Sequence, residues 1–368
     1  MRRVLHVLAP AAYGGLEQVV RFLAEAQHAA GNDVSAATII NARTPEPELL
    51  NHLRQCGIRV IPIDPPSRSY VTQIRALQAI SHTLRPDVIH SHGYVTDVLL
   101  GVSRSSVRGP VLSTVHGFTG GGRKNRAFEW MQRRALRRLD AVVAVSTKLG
   151  SELQSAGLHS GRVHVIPNAY PGVPSASRTE ARRVLDIPMS QFSIGWIGRV
   201  SYEKGLDVLI DAASTLQGMD WRLTVVGDGS ERHFLQRRVT ELGISHRVRW
   251  HGAVANAAQL VQGFDVLVIS SRTEGTPITL LEAMWNTIPL VTTAVGGIPD
   301  VVSSREALLV PPNDAGALVT AIRAVVEDPT AARERASRAF SRVRREFAIE
   351  PFLARYDRVY DTISTRGQ

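Results

Sequence analysis

The sequence predicts an α/β protein built from two doubly wound parallel-sheet domains, and three observations predict it. Short runs of β-branched and apolar residues alternate with helix-spaced stretches from end to end, the pattern of a parallel sheet covered by helices on both faces. That alternation pauses once, over 167–174, where Pro167, Pro171, Gly172 and Pro174 cluster, and then restarts. The 368 residues carry a 44% hydrophobic content, enough for two buried cores, and at roughly 150 residues per domain the length suits about two.

The elements follow in order. Strands are expected over 4–9, 34–40, 60–63, 88–92, 111–115, 141–145 and 163–166, with helices between most of them, as over 16–30 and 74–84. After the pause, strands are expected over 192–197, 223–226, 248–251, 266–269 and 290–293, with helices over 206–216 and 279–285. The last stretch, 352–363, has helical periodicity that places Phe352, Tyr356 and Tyr360 on one face, so a docking helix is expected. The expected domains are therefore 1–170 and 171–345, with a terminal helix over 346–368. In open parallel sheets ligands bind at the carboxyl ends of the strands, so two such domains facing one another would bind between them.

Cys56 is the sole cysteine, which excludes a disulfide within the chain and argues against a zinc site made of thiolates. A reducing, cytoplasmic setting is the expectation. Residues 1–10 open with two arginines and an apolar run, but the run is short for a secretory signal and leads straight to Gly14-Gly15, so it reads as the first strand. No run of about 18 apolar residues occurs that would cross a membrane as a helix.

The net charge of +10 favours an anionic partner: a nucleotide diphosphate, a lipid head group or a nucleic acid. The strongest basic run is 123–138, where Arg123, Lys124, Arg126, Arg133, Arg134, Arg137 and Arg138 face one acid, Glu129, and Phe128, Trp130, Met131 and Leu136 add apolar bulk. Two readings stay open. An amphipathic helix of this kind can lie on an anionic membrane, each nearby cation contributing about 1 kcal/mol. It can equally be a solvated helix face with its apolar side in the core.

The chemistry-bearing residues collect where strands end. Glu274 and Glu282 flank the junction between the strand 266–269 and the helix 279–285. Carboxylates repel phosphate, so these two suit the uncharged diols of a ligand whose phosphate lies nearby, the layout of a sugar nucleotide. Arg199 and Lys204 share the loop after the strand 192–197 and can together neutralise a diphosphate. Gly14-Gly15, Gly227-Asp228-Gly229 and Gly296-Gly297 follow three other strands. Such glycines let backbone amides approach a phosphate, or simply make a turn. His116 follows the strand 111–115, and His90 and His92 lie in 88–92, where they are structural or close to an acceptor.

The order and spacing of these segments resemble family 4 of the retaining glycosyltransferases, over nearly the whole chain. The most specific match is the Glu-x7-Glu pair Glu274 and Glu282; GxxxxxKG at 198–205, GDG at 227–229 and GGIPD at 296–300 support it in family order. In the first half GGLE at 14–17, His116 in STVHGF, Ser146 in AVSTKL and Ile166-Pro167-Asn168 also match.

The resemblance implies the GT-B fold, two facing Rossmann-like domains with a hinge at 167–174, the first taking the acceptor and the second the nucleotide-sugar donor. It implies that Glu274 binds hydroxyls of the donor sugar, Glu282 holds the ribose, and Arg199 with Lys204 binds the diphosphate. Gly14 and Gly15 would bring a backbone amide to that diphosphate, His116 would approach the donor sugar, and Gly227, Gly275, Thr276, Pro277 and Ile278 would complete the donor set. Arg123, Lys124, Arg126 and Trp130 would meet the acceptor or a membrane. Transfer with retention, by front-face attack and with a phosphate oxygen taking the acceptor's proton, is likewise implied.

The sequence departs from the family pattern in two places. Thr276-Pro277 stands where an aromatic or glycine often follows the Glu-Gly pair, and Ala169 follows Asn168 where glycine is common. The first puts the donor-sugar preference in doubt. No Asp-x-Asp pair occurs in a suitable loop, so neither a metal nor another cofactor is expected. UDP-hexoses are the first expectation for the donor and GDP-mannose the second; the acceptor is expected to be a glycan, a lipid-linked acceptor or a small molecule, with a lipid-linked or polysaccharide acceptor at the inner membrane face first. The alternatives are a GT-B sugar-nucleotide epimerase and a non-catalytic basic nucleic-acid or membrane-binding protein.

Overall fold

The structure, a computed structural model, describes residues 1–11, 14–40, 46–64, 69–118, 123–254 and 257–365. Two units divide the chain: Met1–Ala169 with Ile349–Gln368, and Tyr170–Ala348. In the first unit β1 (Arg3–Leu8), α1 (Gly15–Ala29), β2 (Asp33–Ile39), α2 (Glu48–Gln55), β3 (Arg59–Ile63), α3 (Tyr70–Leu84), β4 (Val88–His92), α4 (Tyr94–Val102), β5 (Val111–Val115), α5 (Arg123–Leu136), β6 (Ala141–Ala144), α6 (Thr147–Ser155) and β7 (Val163–Val165) alternate. The seven strands are parallel, in the order β3-β2-β1-β4-β5-β6-β7.

Central strands β4 and β5 are buried at every residue, their polar side chains His90, Ser91, His92, Ser113 and Thr114 included. Leu5, Val7, Ile89, Leu99 and Val142 belong to one core, and Leu8, Val20, Leu50 and Leu53 to another. Strand order reverses between β1 and β4, so the crevice that such a reversal opens lies at the carboxyl ends of these two strands.

The second unit runs α7 (Arg178–Val184), β8 (Phe192–Ile197), α8 (Leu206–Ser214), β9 (Trp221–Val226), α9 (Arg232–Glu241), β10 (Val248–Gly252), β11 (Val266–Ile269), α10 (Ile278–Trp285), β12 (Leu290–Thr293), α11 (Ile298–Val301), β13 (Leu308–Val310), α12 (Ala315–Glu327) and α13 (Pro329–Glu346). Its six strands are also parallel, in the order β10-β9-β8-β11-β12-β13, and the reversal falls between β8 and β11. Strand β13 was not expected: its three residues are too few to show a pattern.

The last helix, α14 (Ile349–Thr365), belongs to the first unit. Phe352, Tyr356 and Tyr360 are its buried face, and large aromatic side chains buried in this way stabilise by about 1.5–3 kcal/mol each. Tyr360 accepts a hydrogen bond from Gln27 Nε2 of α1 at 3.0 Å, and Arg2 pairs with Asp357 at 2.8 Å and with Asp361. Among the described residues no helix is long and apolar enough to cross a membrane.

Candidate functional site

In the second unit, the reversal between β8 and β11 makes the loops that follow these two strands neighbours, and the sequence places Arg199 and Lys204 in one and Glu274 in the other. Lys204 Nζ donates to Glu274 Oε1 at 2.7 Å, and Ser271 Oγ donates to the same oxygen at 2.6 Å. Glu274 Oε2 therefore has no hydrogen-bond donor among the described residues and can accept from a hydroxyl. Lys204 has three N–H donors, of which Glu274 takes one. Lys204 is thus an ion-pair partner of Glu274 as well as a cation of this loop. Arg199 is exposed, with Nε 3.7 Å from Glu203 Oε1.

The glycines hold these loops against one another. A Cβ on Gly205 would fall 2.0 Å from Ser270 O, and one on Gly296 would fall 1.8 Å from Glu274 O; both residues have positive φ, 63° and 57°. Gly297 N–H donates to Gly275 O at 2.9 Å. A Cβ on Gly227 would meet Gly198 O at 1.8 Å, and Val200 N–H donates to Asp228 O at 2.9 Å. These glycines admit neighbouring backbone, whatever they do for a ligand. Thr276, Pro277 and Ile278 are buried, Gly275 is half-buried, and Glu282 on α10 is buried.

A residue with no signal in the sequence joins these loops. Arg272 donates from Nη1 and Nη2 to the two oxygens of Asp207 at 2.9 and 2.6 Å, from Nη1 to Tyr202 O at 2.6 Å, and from Nε to Asn313 Oδ1 at 2.6 Å. Its guanidinium lies 4.0 Å from the centre of the Tyr202 ring, and its backbone N–H donates to Glu203 O at 2.8 Å. The Arg199–Lys204 loop is thus clamped to the Glu274 loop by a bidentate pair and a cation–π contact.

In the first unit, Gly14 caps α1 in an extended conformation and Gly15 opens the helix. Among the described residues a Cβ on Gly15 would meet nothing within 4 Å, whereas one on Gly14 would fall 2.3 Å from Glu17 Oε2. Glu17 accepts from Ala11 N–H at 2.8 Å, which folds a carboxylate back over this helix start. His116 follows β5; burial lowers its pKa to about 4, so the ring is neutral at pH 7.

Helix α5 is two-sided. Trp130 and Met131 are exposed, with Arg126 and Arg134 beside them, while Phe128 packs 5.4 Å from the Tyr94 ring and Gln132, Ala135 and Leu136 are buried. The side chains of Arg123 and Lys124 lie outside the described residues. Gln132 Nε2 donates at 2.8 Å to Asp97, a buried carboxyl that the sequence did not single out and whose pKa burial raises to about 6.

Residues 13–171 match the family model described as Glycosyltransferase Family 4, and residues 177–342 match that described as Glycosyl transferases group 1. The chain belongs to the family 4, group 1 glycosyltransferases. Among its relatives, this glycosyltransferase is 28% identical over 244 residues to the lipopolysaccharide core biosynthesis mannosyltransferase LpsB of Rhizobium meliloti, covering 62% of this chain and 67% of that one. It is 30% identical over 280 residues to the 2-deoxystreptamine N-acetyl-D-glucosaminyltransferase of Streptomyces fradiae, covering 69% and 66%. The chain thus spans about two thirds of the length of each. Among solved structures, Anabaena HepE in complex with UDP-glucose aligns over 99% of this chain and 100% of its own, with a TM-score of 0.86 at 20% identity. The glycosyltransferase therefore has the GT-B fold. Neither the epimerase nor the non-catalytic reading finds support among these relatives.

Proposed function

We propose that this glycosyltransferase takes a nucleotide-diphosphate hexose, UDP-linked in the first instance, and transfers the sugar with retention to a hydroxyl of a glycan or lipid-linked acceptor. The observation that carries the reading is the Lys204–Glu274 pair at the β8/β11 reversal: an ammonium and a half-accepting carboxylate side by side, suited to a phosphate next to a diol. HepE, the structural relative of the same fold, is known with UDP-glucose, which supports UDP as the first base. LpsB, a mannosyltransferase by name, keeps GDP-mannose second.

In this proposal the acceptor oxygen forms a bond to the anomeric carbon as the bond from that carbon to the diphosphate breaks, and the acceptor's proton passes to a phosphate oxygen. No protein nucleophile takes part. Arg199 and Lys204 stabilise the charge that develops on the diphosphate, an effect larger in the transition state than in the ground state. Glu274 Oε2 accepts from a sugar hydroxyl and Glu282 from the ribose. Gly14, Gly15, His116, Gly227, Gly275, Thr276, Pro277 and Ile278 keep the roles the family resemblance gives them. Fixed cations do the work a metal would do, so turnover is expected to survive chelation.

Thermal-shift titration with UDP, GDP, ADP and their hexose conjugates tests the donor. A concentration-dependent rise in melting temperature with UDP and a UDP-hexose is expected, and a response to GDP-mannose alone would move the assignment to that donor. The exposed Arg126, Trp130, Met131 and Arg134 of α5 favour a second element of the proposal, peripheral contact with an anionic membrane. Flotation with phosphatidylglycerol vesicles, lost at high salt and in Trp130→Ser, is the expected result.

A further inference from the structure

The two histidines of β4 differ in one respect. His90 has both ring nitrogens engaged, Nδ1 with the Tyr360 hydroxyl at 2.8 Å and Nε2 with Thr114 Oγ1 at 2.7 Å. His92 has one engaged: Nε2 lies 3.0 Å from His6 Nδ1, while Nδ1 is buried with no hydrogen-bond partner among the described residues. His116 Nε2 is in the same condition, and the centres of the His92 and His116 rings are 6.2 Å apart. Buried polar atoms are nearly always paired, so two orphaned nitrogens on neighbouring rings point to a ligand.

Gln27 decides where the protons lie. Its carbonyl oxygen is 2.7 Å from His6 Nε2 and its NH2 group donates to the Tyr360 hydroxyl at 3.0 Å. A carbonyl can only accept, so His6 carries its proton on Nε2 and accepts on Nδ1. His92 must then donate from Nε2, and a neutral ring protonated there has a bare Nδ1. Tyr360, accepting from Gln27, donates to His90 Nδ1, and His90 Nε2–H donates to Thr114. Turning the Gln27 amide over would reverse every proton in this chain, so one amide orientation sets the whole order. Burial lowers the pKa of all three rings, which keeps them neutral at pH 7.

We infer that His92 contacts substrate: its bare Nδ1, at the carboxyl end of β4 and beside the β1/β4 reversal, accepts a hydrogen bond from a sugar hydroxyl that His116 also meets. The hydroxyl assignment rests on the proposed transferase function. His90, with no nitrogen to offer, is structural.

The test has two arms. Nitrogen-15 spectra of the full chain labelled at histidine, with His92 identified by its loss in His92→Gln, are expected to show Nε2 protonated and Nδ1 bare in the resting protein. UDP-glucose is expected to shift the Nδ1 signal where UDP alone does not; a shift produced only by a free glycoside, such as methyl glucoside, would place the hydroxyl on the acceptor. In the second arm, His92→Gln keeps a donor toward His6 but offers no acceptor at the δ position. It is expected to keep the parent's melting temperature while kcat/KM falls about tenfold or more, the loss of one hydrogen bond to substrate. His92→Asn, with an oxygen at the δ position, should recover part of that loss. A protonated Nδ1, or a His92→Gln variant within about twofold of the parent in kcat/KM, overturns the inference. The resting spectrum needs no turnover, so a wrong proton order sinks the inference alone. A parent protein that turns over no nucleotide sugar sinks the transferase reading, and the hydroxyl assignment with it.

Discussion

Lys204 Nζ and Glu274 Oε1 are 2.7 Å apart, on loops that follow two strands adjacent only because the strand order reverses between them. The Glu274 side chain is 8% exposed, so removing either partner leaves the other charge largely out of water and without its counter-ion. Lys204→Ala is expected to lower turnover about a hundredfold or more, as loss of an oxyanion donor does. Because the two groups act as a unit, the Lys204→Ala, Glu274→Ala double variant should lose much less than the product of the single losses. Initial rates for the four proteins of this cycle check it; losses that multiply would mean the two groups work independently.

Arg272 supports that pair without touching it. Its bidentate contact with Asp207 and its stacking on Tyr202 fix the loop that carries Lys204. Arg272→Lys keeps the charge but cannot keep the fork. The expected outcome is a several-fold rise in KM for the donor with kcat less affected, since the pair is displaced rather than removed. Asp207→Asn should reproduce the rise, and combining the two should add little. Steady-state kinetics in donor concentration separate these outcomes.

The sheets were legible in the sequence because parallel strands buried on both faces leave unbroken apolar runs, as at 266–269, where the observed ends match the expected ones. Strand β13 was not, since three residues before a proline pair carry no period. Within the loops, residue types were readable but partnerships were not. Nothing local in SSRTEG says that Arg272 reaches Asp207 or that Ser271 donates to Glu274, because those contacts depend on which strands the fold makes neighbours. Glycine is ambiguous for the same reason. A turn that admits a ligand and a turn that admits a neighbouring loop need the same missing Cβ, and at Gly205, Gly227 and Gly296 the structure shows the second.

The buried histidines give the first unit a signed pH dependence. Burial lowers His6 and His116 from an ordinary 6.5 to about 4, so the unfolded chain takes up their protons first. The stability they contribute is present above 6.5 and is lost as pH falls toward 4, at about 1.4 kcal/mol per pH unit for each ring. Asp97 works in the other direction: raised from 3.8 to about 6, it contributes stability present below 3.8 and lost as pH rises through 6. Acidification from pH 7 to 5 is therefore expected to lower the protection factors of the β1 and β4 amides, with Asp97 offsetting part of the loss. Asp97→Asn removes the offset and should steepen the response. Hydrogen–deuterium exchange across this range, with each rate divided by the intrinsic rate at that pH, measures it on both proteins; unchanged protection factors would show the rings to be solvated.

Two glycine substitutions separate what the fold needs from what a ligand needs. Gly296 has φ +57°, and a Cβ there would fall 1.8 Å from Glu274 O. Gly296→Ala must therefore push the Glu274 loop away while leaving both members of the ion pair in the chain, and it is expected to lower both the melting temperature and donor affinity. Gly15 is the contrast. A Cβ at Gly15 meets nothing within 4 Å among the described residues and the residue is outside the positive-φ set, so Gly15→Ala should melt like the parent. If a diphosphate approaches the Gly15 amide as proposed, the added methyl group occupies the ligand's space, and donor affinity falls with no change in stability. Melting curves with and without UDP on the two variants read this directly: Gly296→Ala should lose both quantities together, and Gly15→Ala should lose only the shift that UDP produces. Equal UDP shifts in Gly15→Ala and the parent would remove Gly15 from the donor site.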